Sequence, residues 1–180
     1  MKVRSVLTVA VLSAAWSLVL AAEKEVSMKL TSPSVSEGQA IPAKFSGEGA
    51  DVSPALKWEG APAGTKSFAL ICDDPDAPVG TWDHWLIWNI PPTMTELPEN
   101  VEKKETVLGT ARQGMNGWPR LGYNGPMPPR GHGKHRYFFK LYALDTELSV
   151  PARANKKQLE QAMKGHVLAQ AELMGTYERK

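Results

Sequence analysis

The chain has 180 residues, which is enough for one domain with a substantial hydrophobic core. Its 21 lysine and arginine residues nearly balance 19 acidic ones, giving a net charge of +2. So small a charge gives no indication of a nucleic-acid-binding surface. Cys72 is the only cysteine, which excludes an internal disulfide, and we interpret its thiol as a small buried hydrophobe.

The N-terminal segment has the layout of a secretory signal peptide. A short basic region with Lys2 and Arg4 precedes an apolar stretch over residues 6–20, and small residues follow it. We therefore predict a cleaved signal peptide over residues 1–22 and a periplasmic or secreted domain over residues 23–180, without stable membrane insertion. An uncleaved N-terminal anchor is the alternative. Cleavage would remove two basic residues and no acidic one, leaving a formally neutral chain.

Five short hydrophobic segments, separated by proline and glycine, predict the strands of a β domain. Two of them, at 26–32 and 40–46, alternate apolar and polar residues, as strands with one buried face do. Two others, at 67–72 and 84–90, are continuously apolar, as strands covered on both faces are. The fifth, at 136–144, is long and aromatic. Together they predict a mostly β fold, an antiparallel β-sandwich of two sheets.

The C-terminal third of the chain has a different pattern. Leu159 and Met163 recur at helical spacing before Gly165, a natural stop, and this predicts one helix. From Val167 onward, alternation of apolar and polar residues predicts a last strand. A continuous helix through Met174 is the alternative.

Two stretches of the sequence carry side chains suited to binding a ligand. Two-residue alternation places Trp82 and His84 on one face of their strand. It likewise places His135 and Tyr137 on one face of theirs, with Arg136 pointing the opposite way. A proline-rich loop precedes each pair, DDPDAPVG before the first and NGPMPPRGHGK before the second. Because proline restricts φ, the loops are stiff, and the two pairs predict a small preorganised pocket.

Such a pocket has the chemistry to bind a small anion such as phosphate or carboxylate. Imidazole N–H groups and a tyrosine hydroxyl are donors, and the glycines of the second loop let backbone N–H groups approach a ligand closely. Asp74 or Asp76 is placed to accept from a ring N–H and so orient one histidine. Trp82 supplies an apolar wall or a surface for a cationic headgroup.

Plainer interpretations of the same residues stay open. Each histidine can be structural, and aspartates in proline-rich turns often bond their own backbone. His132 lies between two loop glycines, where we expect solvent exposure, and His166 follows the predicted helix as a partner for its C-terminus. No HxH or HxxxH spacing supports a metal site, and we predict neither a metal nor another cofactor. A hydrolase that uses a His/Asp acid–base pair on a small phosphoester-like substrate is the alternative function.

Three motifs make the sequence recognisable: DDPDAP, HWLIWNIP and GYNGPMPPRGHGKHRYFFKLYALD. They resemble the phosphatidylethanolamine-binding protein family, and in particular its bacterial Raf-kinase-inhibitor-like branch, which the tail AMKGHVLAQAELMGTYER also resembles. The resemblance implies a β-sandwich of two antiparallel sheets with a small anion pocket at one end. The ligand-binding positions that it implies are Asp74, Asp76, Trp82, His84, Pro129, His135 and Tyr137, and Met127 occupies a further position in the same loop.

The resemblance also implies a function. Members bind phosphate-like groups, including phospholipid headgroups; some regulate partner proteins, and bacterial members of this type often look dimeric. The sequence therefore predicts an exported protein that binds a small anion or a phospholipid headgroup without turnover, with a protein partner or a homodimer as further expectations. Two departures concern the ligand. Met127 stands where many relatives have a small residue, and the chain ends soon after Tyr177, where eukaryotic relatives close the pocket with a helix, so that this wall is missing or comes from a partner chain.

Overall fold

The structure, a computed structural model, describes residues 27–180. In chain order its strands are β1 (Lys29–Thr31), β2 (Leu56–Glu59), β3 (Ser67–Asp74), β4 (Trp82–Ile90), β5 (Glu96–Leu97), β6 (Thr106–Val107), β7 (Ala111–Gln113), β8 (His135–Leu144) and β9 (Val167–Tyr177). A 3-10 helix spans Ala43–Phe45, and an α-helix, α1, spans Lys156–Met163. The predicted signal peptide over residues 1–22 and the predicted domain start at residue 23 lie outside the described residues and stay predictions.

The strands form two antiparallel sheets, as predicted. The small sheet has the order β1–β2–β5, and the large one has the order β6–β7–β4–β3–β8–β9. Apolar side chains from both sheets form the main core between them, while a second cluster lies between the large sheet and α1. The domain therefore has a sandwich core and a helix that covers part of the outer face of the large sheet.

Strand β3 is buried along its whole length because both of its faces are covered. Phe68 and Leu70 point into the core between the sheets, while Ala69 and Ile71 point toward α1. This arrangement confirms the prediction from the continuous apolar run, since a strand covered on both faces has no need for polar residues at alternate positions.

An ion-pair network fixes α1 to the outer face of β3. The carboxylate of Asp73 is 1% exposed and accepts from Lys140 at 2.8 Å and from Lys156 at 2.6 Å. Lys156 also lies 3.3 Å from Asp83, whose pKa is raised by burial. The paired cations compensate the cost of burying Asp73, so this acid of the DDPDAP motif has a structural role.

The C-terminal elements confirm one helix followed by one strand. The side chain of Asn155 accepts from the backbone N–H of Gln158, and the side chain of Gln158 accepts from that of Asn155, which caps the start of α1. The chain reverses at Gly165, whose φ is +84°. Beyond it, β9 pairs with β8 along its length, so the alternative of a continuous helix through Met174 is wrong. Within residues 27–180, no helix is both long enough and apolar enough to cross a membrane.

The prediction of a strand over residues 40–46 is wrong. Ala40 makes a single bridge to Thr176, and the chain then turns into the 3-10 helix. Pro42 lies at the start of that helix with φ −57°, where its ring favours a helical turn and its lack of an N–H costs nothing. The burial of Phe45 therefore reflects one face of a short turn instead of the alternation of a strand.

The topology brings three segment ends to one edge of the large sheet. Strand β3 ends at Asp74, β4 begins at Trp82 and β8 begins at His135, and antiparallel pairing places these positions together. Cys72 pairs with Trp85 but Asp73 pairs with Asp83, so His84 is the extra residue of a β-bulge. Bulges of this kind re-aim side chains, and they are frequent beside functional sites.

Candidate functional site

A pit of about 200 Å³ opens at this edge of the large sheet. It brings together the predicted residues Asp74, Trp82, His84, Met127, Pro129, His135 and Tyr137. The remaining wall is formed by Ala77, Pro78 and Val79 from the loop before β4, and by Trp118 and Pro128 from the loop before β8. The two proline-rich loops thus face each other across the pit, and strand residues form its floor.

Asp76 is the one predicted site residue that lies outside the pit. Its Oδ2 accepts from the backbone N–H and the Nε of Arg136, both at 2.9 Å, and its Oδ1 accepts from Nη2 at 2.7 Å. The guanidinium bonds lower the pKa of Asp76 from 3.8 to about 2. Asp76 therefore fixes the DDPDAP loop to β8 instead of facing a ligand.

The floor of the pit contains a buried Asp–His pair. Oδ2 of Asp74 lies 2.7 Å from Nδ1 of His135, and the side chains are 4% and 2% exposed. Oδ1 of Asp74 accepts from the backbone N–H of Asp76 at 2.8 Å. Because an ionised carboxylate only accepts, the hydrogen-bond network assigns the Nδ1 proton to His135. Of the two acids that the sequence offered, Asp74 is the one that orients a histidine.

Tyr137 is buried beside this pair. Burial raises the pKa of its hydroxyl well above the ordinary value, and the nearby charge of Asp74 raises it further. The hydroxyl therefore stays protonated at physiological pH.

His84 presents a hydrogen-bond acceptor to the pit, whereas we predicted a donor. Its Nδ1 lies 2.6 Å from the carbonyl oxygen of Asn124, which only accepts, so Nδ1 carries the proton. Burial lowers the pKa of His84, against the opposing effects of this bond and of the charge of Asp74. The ring is thus neutral at pH 7, and its Nε2 is an acceptor instead of a donor.

Trp118 is a wall residue that the sequence analysis missed. Its ring stands edge-on to His84 at 5.1 Å and to Trp82 at 5.4 Å between centroids. It belongs to the long loop 114–134, where the buried side chain of Asn116 holds the turn by accepting from the backbone N–H of Trp118 and of Arg120. No periodicity marks a tryptophan in such a loop; its position depends on this turn.

His132 is exposed, as expected, but it also takes part in the site. Its Nδ1 lies 2.7 Å from Nε2 of His135. Both ring nitrogens of His135 therefore have partners within the protein. His166, in contrast, lies away from the pit, with its Nδ1 2.8 Å from Oδ1 of Asp145, so its side chain pairs with a carboxylate instead of capping α1.

The rim of the pit is apolar and partly exposed. Val79 is 78% exposed and Met127 is 40% exposed, and the thioether of Met127 lies against Gly47. Within the described residues, no position after Tyr137 lines the pit. The C-terminal segment instead supports the rim from outside, where Arg179 donates to the carbonyl oxygen of Pro128 at 3.4 Å and to Glu48 at 3.1 Å.

In residues 27–180, no three His, Cys, Asp or Glu side chains are arranged to hold a metal ion. The chemistry of the pit is that of hydrogen bonding between aromatic walls. Its polar groups include the Asp74 carboxylate, the unprotonated Nε2 of His84 and the hydroxyl of Tyr137, while the Nδ1–H of His135 is already donated to Asp74. A ligand that brings a proton of its own is best matched to these groups.

The fold is a two-sheet β-sandwich with a small pit at the edge of its large sheet. The chain belongs to the phosphatidylethanolamine-binding protein family, whose model matches residues 31–178. The resemblance of the motifs to this family is therefore confirmed.

Relatives and solved structures support this assignment. The UPF0098 protein PH1269 of Pyrococcus horikoshii is 51% identical over 160 residues, which cover 88% of this chain and 80% of that protein. YbcL of E. coli, described as a member of the mammalian PEBP family, has a TM-score of 0.80 at 36% identity, covering 85% of this chain and 99% of YbcL. The PEBP homologue CT736 of Chlamydia trachomatis has a TM-score of 0.78 at 42% identity, covering 86% and 99%.

Proposed function

We propose that this protein binds small phosphate-type anions, chiefly phosphate carried by a larger molecule such as a phospholipid headgroup, and that it does so without turnover. One observation carries the proposal. Residues from three separate segments, represented by Asp74, His84 and His135, converge on one pit with a buried hydrogen-bonded floor. An open pit with a few convergent polar groups, here including an oriented buried histidine, is the arrangement typical of a ligand-binding site.

The protons available in the pit favour phosphate over anions that carry no proton. His84 offers an acceptor, and a singly protonated phosphate can donate its own O–H to that acceptor while its other oxygens remain anionic. The second pKa of a phosphomonoester is about 6, so this form is accessible near neutral pH. Sulfate has the same shape but brings no proton, and we expect it to bind more weakly.

The rim favours a phosphate attached to an apolar body. Val79, Pro78 and Met127 present apolar surface at the mouth, directly outside the polar floor. A headgroup that enters the pit would leave its glycerol and acyl portions against these side chains, where they bury apolar surface. Free phosphate makes no use of that surface.

An NMR titration of the purified protein in metal-free buffer tests the proposal. Inorganic phosphate, phosphoethanolamine and sulfate are added separately while the histidine and tryptophan side-chain signals are followed. We expect saturable shifts at His84, His135 and Trp82, with phosphate binding more tightly than sulfate. Phosphoethanolamine should bind more tightly than phosphate because its ammonium group can lie against the Trp82 ring. His84→Gln should weaken phosphate binding, while His166→Gln, at an exposed histidine away from the pit, should not. Equal binding by wild type and His84→Gln would count against the proposal.

An acid–base enzyme acting on a small phosphoester is the second candidate. The Asp74–His135 bond of 2.7 Å favours it, since an oriented imidazole is the usual general base. No Ser, Thr or Cys side chain lines the pit as the described residues form it, so water would have to be the nucleophile. Phosphate release from a phosphomonoester, lost in His135→Gln and retained in His166→Gln, would establish this function instead.

We also propose that the domain is exported and acts outside the cytoplasm. The support is the sequence of residues 1–22. The mass of the protein recovered from an extracytoplasmic fraction tests this, because cleavage near residue 22 would remove the mass of residues 1–22.

A protein partner and a homodimer are tested separately. A protein partner that binds at the pit would be released by phosphate in a pull-down. A homodimer would be detected as twice the monomer mass in light scattering.

A further inference from the structure

His132 lies at the surface end of the loop before β8. It stands between Gly131 and Gly133, whose φ angles are +72° and +85°. A Cβ atom added at either glycine would meet no atom within 4 Å, so the space beside both glycines is open. The His132 ring is exposed, although it is hydrogen-bonded to a ring that is almost fully buried.

Three side chains form a hydrogen-bonded chain from the floor of the pit to solvent. Asp74 accepts from Nδ1 of His135 at 2.7 Å, and Nε2 of His135 lies 2.7 Å from Nδ1 of His132. Because the carboxylate fixes the His135 proton on Nδ1, the ring offers Nε2 as the acceptor. His132 therefore donates its Nδ1 proton to His135.

The position of His132 is the position that a ligand needs. A ring nitrogen makes one hydrogen bond, directed outward in the plane of the ring. His135 lines the pit, and its Nδ1 is committed to Asp74, so Nε2 is the only ring atom that it can offer. A ligand atom bonded to that nitrogen would stand about where Nδ1 of His132 stands. The two cannot bond to His135 at once.

His132 reaches His135 from outside the pit. It is not among the residues that line the pit, and it lies in a second, open groove formed by Asp76, His132, Lys134, His135 and Arg136, with Met174 and Thr176 from β9. His135 thus forms the boundary between this groove and the pit. The Asp76 carboxylate in the groove is neutralised by Arg136, so a His132 ring released from His135 meets polar but paired surroundings there.

We propose that His132 is an internal competitor for the ligand, a specificity-determining residue that occupies the ligand's hydrogen-bonding position on His135 until a phosphate group displaces it. This inference rests on the proposed function, since it concerns the same pit. A ligand that bonds to His135 must break the His132–His135 bond, and a ligand that bonds only to His84 need not. Because Nε2 of His135 accepts, the exchange selects for anions that bring an O–H group to replace the N–H of His132.

The test compares the dissociation constant for inorganic phosphate in wild type, His132→Ala, His132→Gln and the control His166→Ala, by calorimetry at one pH. One neutral hydrogen bond contributes about 0.5–1.5 kcal/mol, so we expect His132→Ala to bind phosphate roughly two- to tenfold more tightly than wild type. Glutamine can still donate to His135, so His132→Gln should fall between the two. His166→Ala should match wild type.

A spectroscopic readout separates competition from a general loosening of the loop. In the wild type, the 15N signals of His132 should move to the values of a free imidazole as phosphate saturates, with the same midpoint as the Trp82 signal. Phosphate binding by His132→Ala that is equal to or weaker than that of the wild type would overturn this inference alone. Binding of phosphate by neither protein would overturn the proposed function and this inference with it.

Discussion

The Nδ1 atom of His84 lies 2.6 Å from the carbonyl oxygen of Asn124, and because of this contact His84 presents no N–H donor to the pit. The backbone of the long loop before β8 takes the only N–H of the neutral ring, so Nε2 remains an acceptor. Burial lowers the pKa of His84 and keeps the ring in this form near pH 7. Binding of a fully ionised phosphate therefore requires a proton from solvent, while a singly protonated phosphate brings one.

The first prediction is that phosphoethanolamine binding takes up a proton at pH 7.5. A fully ionised phosphomonoester has no O–H for the unprotonated Nε2 of His84, so the one proton that the two groups share in the complex comes from solvent, and affinity should rise as the pH falls from 7.5 to 5.5. Calorimetry in two buffers of different ionisation enthalpy measures the uptake. It should be smaller in His84→Gln and unchanged in His166→Gln. Uptake of equal size in wild type and His84→Gln would remove His84 from this role.

The second prediction concerns the stability of the floor. Asp74→Ala leaves the buried Nδ1–H of His135 and the backbone N–H of Asp76 without their acceptor, and we expect a loss of roughly 2–4 kcal/mol in the free energy of unfolding. Urea denaturation measures this loss. Asp76→Ala is the matched control, because it removes a more exposed carboxylate two residues away and should cost less. Equal losses would mean that the Asp74–His135 bond adds little to stability.

Most of the fold could be predicted because its signals are local. A continuous apolar run such as 67–72 predicts a strand that is buried on both faces. The core between the two sheets buries one face, and α1 covers the other. Alternation from Val167 predicted β9, which the β8–β9 pairing confirms. The 40–46 segment failed because Pro42 starts a helical turn, and its effect on the backbone outweighs the alternation around it.

Strand alternation predicted the site residues that lie on strands. His135 and Tyr137 share a face by simple alternation, and the pit contains both. Trp118 and His132 come from loop 114–134, whose path depends on distant anchors such as Asp51, which accepts from the side chain of Asn124 and the backbone N–H of Gly125. No spacing in the sequence encodes those contacts, so the part of these two residues in the site was missed.

The third prediction is that Gly117→Ala distorts the pit wall. A Cβ atom at residue 117 would lie 2.4 Å from Cε2 and 2.6 Å from Nε1 of Trp82, so the indole must shift. We expect a loss of about 1–3 kcal/mol in unfolding free energy, a change in tryptophan fluorescence and weaker phosphate binding.

A double-variant cycle checks the cause of these effects. In a Trp82→Ala background the obstructing ring is absent, so adding Gly117→Ala should cost little further stability. If Gly117→Ala were as costly without Trp82 as with it, the strain would lie in the backbone of the loop and the close approach to Trp82 would not explain it.

The fourth prediction is that Arg136→Ala raises the pKa of Asp76. The side-chain bonds of Arg136 are the largest cause of the depressed value of about 2, while the backbone N–H of residue 136 still donates to Asp76 in the variant. The new pKa should therefore lie between 2 and the ordinary 3.8. Titration of the carboxyl 13C signal measures it, with Lys134→Ala, a neighbouring cation that leaves the Arg136 bonds in place, as the control.

The same ion pair gives a definite dependence of stability on pH. A carboxyl whose pKa is lower in the folded state than in the unfolded state stabilises the fold above the unfolded value, and this contribution is lost as the pH falls from about 3.8 to about 2. The loss of unfolding free energy across that window should be smaller in Arg136→Ala than in wild type and unaltered in Lys134→Ala. An Arg136→Ala profile parallel to that of the wild type would show that Asp76 keeps its low pKa through the backbone bond alone, and that the guanidinium does not hold the DDPDAP loop against β8.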